Sequence, residues 1–167
     1  MNNSEFQIKR HQTDIKTAQG AMAISLVLTL IYILKAIASG NTNFYFSLYT
    51  VEFFMKYSAF FPEFRGTFPK AAAAAVIAAF MILAIVFTVL SQKKPVVLFG
   101  CLALYSFDTV FMLIGKLSGF FSPLAQDDFI DIIVHAFILT FLIIGVIGFK
   151  KLGASGNIQS ENKTETK

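Results

Sequence analysis

Charge is what this chain has least of. Of its 167 residues, 14% are Asp, Glu, Lys or Arg, against about 25% in a soluble domain. A water-facing surface cannot be built from so few charges, and a soluble fold is excluded on that ground. Cysteine is limited to Cys101, so there is no intrachain disulfide and the redox compartment stays unread. Set inside an apolar stretch, that thiol acts as a small hydrophobe. Catalytic signatures are missing as well: no GxSxG, Walker loop, dinucleotide fingerprint, HxxxH, CxxC or HExxH. No enzyme, cofactor or metal centre is expected. Nucleic acid is not an expected partner either. The net charge is +4, but Lys and Arg cluster at the ends of apolar segments rather than in a basic stripe among exposed aromatics.

Hydrophobic residues make up 56% of the chain, and they come in long runs. Four segments, 18–38, 71–90, 95–115 and 129–149, each hold about 20 residues, enough to cross roughly 30 Å of hydrocarbon at 1.5 Å per residue. The expected fold is all-α: a four-span transmembrane helix bundle. One membrane domain, 18–151, lies between a polar tail, 1–17, and a polar tail, 152–167, whose composition predicts disorder. The first segment also admits a second reading as a signal peptide. Lys9, Arg10 and Lys16 would precede an apolar core, and Ala36-Ile37-Ala38 would be the cleavage box. Lys35 between core and box counts against cleavage.

Between the first two spans lies a loop too long for an ordinary connection and crowded with aromatics. In its segment 43–61, Phe46, Tyr49, Phe53, Tyr57 and Phe60 recur at steps of three and four, which predicts one face of an amphipathic helix. Asn43 is placed to cap its start and Pro62 to end it. Such a helix fits the headgroup plane, either as an aromatic belt or as a docking surface for a partner or lipid. Span two opens with alanines. Ala71, Ala75 and Ala79 form a small-xxx-small row of the kind that lets helices approach closely in lipid. Packing within the chain and a homodimer face both use such a row.

Lys and Arg fix the expected orientation. Nine of the fourteen lie in the two tails, the Lys150-Lys151 pair that ends span four and the short Ser91-Gln92-Lys93-Lys94 turn, and positive residues stay inside. Both termini are therefore expected in the cytoplasm of a multi-pass protein of a bacterial cell membrane, with the aromatic loop and the 116–128 loop outside.

Three ionisable residues stand where spans should have none. Asp108 lies about 10 Å below the outer end of span three and His135 about 9 Å down span four. Two antiparallel neighbours would bring them to one level, with Asp131 one turn above His135. A carboxylate at that depth costs about 2.5–3.5 kcal/mol and must find a partner. Three readings compete. Asp108 and His135 form a structural pair completed by Tyr105, Ser106 or Thr109; or the three form a proton or cation relay; or they bind a metal. Asp131 by itself is also a helix-start carboxylate favoured by the dipole. Two functions remain open: a binding or accessory membrane component with a membrane-protein partner or a second copy, and a small transporter or channel subunit using the Asp-His pair.

Overall fold

The computed structural model describes residues 3–39, 48–59, 68–117 and 126–164, with side chains for 5–39, 48–59, 68–117, 129–130 and 132–153. It is built of α1 (Asn3–Ser39), α2 (Tyr49–Lys56), α3 (Lys70–Lys93), α4 (Leu98–Leu117) and α5 (Gln126–Thr164), with a 3-10 turn at Pro95–Val97 leading into α4. Four helices are long and apolar enough to cross a membrane: Glu5–Ser39, Lys70–Lys93, Pro95–Leu117 and Ile132–Gly153. The protein is a multi-pass helical membrane protein. Among the described residues the only extended pairing is an isolated bridge between Ser58 and Phe68.

The core runs along the bundle axis. Met22 and Leu26 of α1, Phe80, Met81 and Ala84 of α3, Leu98, Cys101 and Tyr105 of α4, and Leu142 and Val146 of α5 are buried together. Outside it, Ile24 and Leu34, Ile82 and Val89, Phe107 and Ile114, and Ile133 and Phe137 stand exposed on the four long helices. In water this much contiguous apolar surface would drive association; in hydrocarbon it is the solvent-compatible face. Hydroxyls within the spans are satisfied locally. Thr88 donates to the Ala84 carbonyl at 2.6 Å, Thr109 to Tyr105 at 2.8 Å and Thr140 to Ala136 at 2.7 Å. Where water is absent, back-bonding to the preceding turn is the cheapest satisfaction a hydroxyl has.

Two helices are longer than the spans expected of them. α1 begins at Asn3 and absorbs the polar segment before residue 18. Its 37 residues amount to about 55 Å of helix, nearly twice the hydrocarbon thickness. The reason is α5, with which α1 shares the largest interface in the molecule. Ile15, Ala18 and Met22 are buried, and α5 answers them with glycine. A Cβ added at Gly145 would collide with the Ala18 Cβ, and one at Gly148 would lie 3.1 Å from both the His11 carbonyl oxygen and the Asp14 Cβ. The backbones touch through residues too small to register as hydrophobic periodicity. At the other terminus, α5 keeps a helical backbone beyond Lys151 to Thr164, through the segment whose composition predicts disorder. Extending a formed helix fixes one residue per added hydrogen bond, and so avoids the cost of a new nucleus.

The α3–α4 corner shows how a polar end is closed. Pro95 has no N–H, so the Ser91 carbonyl four residues earlier lacks its helical donor. Gln19 of α1 supplies one: its Nε2 donates to the Ser91 oxygen at 2.5 Å. The Lys94 N–H donates to the Leu90 carbonyl at 2.8 Å and ends α3.

The α1–α5 contact generates a direct expectation. Gly145→Val should destabilise the bundle by about 1–3 kcal/mol, the usual cost of overpacking, read as a shift in a detergent unfolding curve. Gly20→Ala and Gly153→Ala, where an added Cβ meets nothing within 4 Å, should be neutral or stabilise by about 0.5–1 kcal/mol. Equal effects at all three sites would remove the close approach from the account.

Candidate functional site: a buried carboxylate under a helix start

α2 is short, and its own sequence does not cap it. Leu48 is the cap residue, with φ −64° and ψ 120°, and makes no side-chain capping bond. The donors at the start of α2 point into the bundle and are met from other helices. The Leu48 N–H donates to Thr29 Oγ1 of α1 at 3.3 Å. The Tyr49 N–H donates to Asp108 Oδ2 at 2.8 Å, and the Thr50 N–H to Asp108 Oδ1 at 2.7 Å. Thr50 Oγ1 donates to the same Oδ1 at 2.5 Å. Asp108 of α4 is thus a tertiary N-cap, supplying across the bundle what Ser, Asp or Asn usually supplies from the preceding residue.

His135 of α5 completes the arrangement, with Nε2 3.1 Å from Asp108 Oδ2. Asp108 is 0% and His135 1% exposed. With the ring hydrogen on Nε2, all four contacts of the carboxylate are accepted bonds, as an ionised carboxylate requires. The partial positive charge of a helix start adds to the match. Tyr105 packs against the imidazole, its ring centroid 5.3 Å away at 34°.

The residues expected to meet here are distributed as follows. Asp108 and His135 are in contact. Asp131 lies one turn before His135 on α5, and its side chain is outside the described residues. Of the expected completing groups, Tyr105 packs on the His135 ring and Thr109 donates to a carbonyl of its own helix, while Thr50 and the backbone of α2 take up the carboxylate. Among the described residues, no group of three or more His, Cys, Asp and Glu is placed to hold a metal ion. Sequence reasoning missed Thr29, Leu48 and Thr50. The signal in the sequence was on one side alone: Asp108 was an acceptor in search of donors.

The aromatic face of α2 packs onto the bundle. Tyr49 and Phe53 are buried and pack with Met112 of α4. Phe53 has its ring 5.5 Å from Phe111, 5.9 Å from Phe68 and 5.0 Å from Tyr57. Lys116 Nζ lies 5.6 Å from the Tyr49 ring centroid, a cation–π distance. Phe46, Phe60, Asn43 and Pro62 lie outside the described residues. This packing has a physical cause. The start of α2 is anchored on Asp108, about 13 Å along α4 from Leu117, and that anchor sets which face of α2 meets α4.

Ala71, Ala75 and Ala79 are on the exposed side of α3. The packed face is a different row, carrying Ala73, Phe80, Ala84, Thr88 and Ser91. Burying the larger Phe80 alongside small Ala73 and Ala84 turns the 71–75–79 row away from the bundle.

Asp108→Ala leaves buried N–H groups of α2 without an acceptor and should cost about 3–5 kcal/mol. His135→Ala should cost less, and the double variant should fall short of the sum by about 0.5–3 kcal/mol, the range for contacting residues. Chemical unfolding of the four proteins in detergent checks the coupling; additive costs would separate the two side chains. No protein-family model matches the chain, and no match was found among curated proteins or solved structures, so function has to be argued from this site.

Proposed function

We propose that the protein is a binding or accessory component of a membrane, acting through another membrane protein or a second copy of itself, and that it is not an enzyme. The observation that carries this reading is the use made of Asp108. Both carboxylate oxygens are engaged by the start of α2 and by His135, with the group closed off from solvent. A relay carboxylate exchanges protons or ions with a pathway; this one is committed to holding a helix in place. The small-residue row Ala71, Ala75 and Ala79, exposed on α3, supports the partner reading, because such rows favour close helix approach in lipid.

The orientation proposed is both termini in the cytoplasm of a bacterial cell. Four crossings return the chain to its starting side. Lys9, Arg10, Lys16, Lys93, Lys94, Lys150 and Lys151 gather at the end shared by the start of α1 and the α3–α4 turn, which is the end that stays inside.

Two measurements test the proposal. In vesicles carrying a pH dye under an imposed gradient, wild type and Asp108→Asn should both decay like protein-free vesicles. Flux in wild type that the substitution abolishes would replace the accessory role with a relay. For orientation, a membrane-impermeant maleimide on intact cells should label Lys70→Cys, and should label Lys9→Cys only after lysis. The reverse pattern would invert the topology.

A further inference from the structure

At the basic end of the bundle, α1, α5 and the α3–α4 corner line an open cavity of about 510 Å³. Its lining divides by chemistry. Gln12, Lys16, Gln19 and Gln92 offer one ammonium and three amides, while Ile15, Pro95, Phe149 and Leu152 make an apolar floor. On α1 the polar members stand at i, i+4 and i+7, one side of the helix. Level matters as much as lining. Pro95 opens α4's span, Gln92 closes α3, and Phe149 is the last apolar residue before Lys150 and Lys151. The cavity therefore sits where hydrocarbon gives way to headgroups, whichever side of the membrane this end faces.

Lysines gather around the cavity. Lys93 and Lys94 follow Gln92 and are exposed, as are Lys150 and Lys151 beside Phe149. The nearby carboxylate, Asp14, meets His11 Nδ1 of its own helix at 3.4 Å and packs at Gly148 of α5. Lys150 Nζ lies 5.5 Å from the Phe99 ring centroid, which holds its stem along α4.

We propose that this cavity is a binding site for the headgroup of an anionic phospholipid. Lys16 and the amides of Gln12 and Gln92 bind the phosphate, and the glycerol and first methylenes lie on Ile15, Pro95, Phe149 and Leu152. Basic pockets between spans at the membrane surface take phosphate-bearing headgroups in this way. The site depends on the shape of this end of the bundle, and stands whether or not the protein works through a partner.

Native mass spectrometry of the full-length protein, offered equal phosphatidylglycerol and phosphatidylcholine, tests it. Wild type should retain phosphatidylglycerol in excess. Lys16→Gln should reduce that excess about fivefold, the weight of one cation near the surface. Leu152→Trp, which fills the floor without changing charge, should reduce it too. Lys9→Gln, exposed on the same helix but outside the cavity, should leave it unchanged. Equal retention of the two lipids by wild type overturns the site. So does an equal loss from Lys9→Gln, which would mean diffuse surface charge, or no loss from Leu152→Trp. If inorganic phosphate raised the Tm of lipid-free protein as much as phosphatidylglycerol does, the ligand would be free phosphate and the lipid assignment would fall.

Discussion

An N–H group without an acceptor is close to intolerable in hydrocarbon, and this structure is arranged around three of them. The first amides of α2 are brought below the Leu117 end of α4, where no water is available to accept from them. Asp108 takes two, Thr29 takes the third, and each has a cost that the other removes. A lone carboxylate at that depth is unfavourable, and so is a lone helix start. Together they form charge-assisted bonds, about twice as strong as neutral ones. The position of α2, the inward turn of Tyr49 and Phe53, and the contact with His135 all follow from that exchange.

The spans were legible in the sequence because length and hydropathy are properties of single segments. Asp108 and His135 were legible as neighbours because antiparallel helices convert sequence position into depth at a fixed rise. What could not be read was anything decided by backbone. The donors on Asp108 are the amides of Tyr49 and Thr50, and amides carry no residue-type signature. The α1–α5 contact was hidden for a related reason. Gly145 and Gly148 meet Ala18 and Asp14 through missing side chains, and a hydrophobic period cannot register what is not there. The alanine row 71–75–79 shows the opposite failure. It marks a surface fit for close approach, but the choice of which row packs was made by the bulk of Phe80, one step round the helix.

The same economy governs the ends of the bundle. Proline at position 95 starts α4 well and leaves the Ser91 carbonyl without its helical donor; Gln19 repairs this from α1. One side chain thereby ties the first helix to the turn between the third and fourth. The amide of Gln19 also borders the polar side of the cavity at this end, so closing the corner and shaping the pocket depend on the same residue.

The largest interface joins α1 to α5, helices with every other described element between them in the chain. During synthesis α1 enters the bilayer with this partner still unmade, and until α5 arrives its close-packed face at Ala18 has lipid to lie against. The bundle is therefore sealed late, by arrival of the last span. A chain halted before α5 would hold α1 through α2, α3 and α4, with its face at Ala18 uncovered and open to quality control.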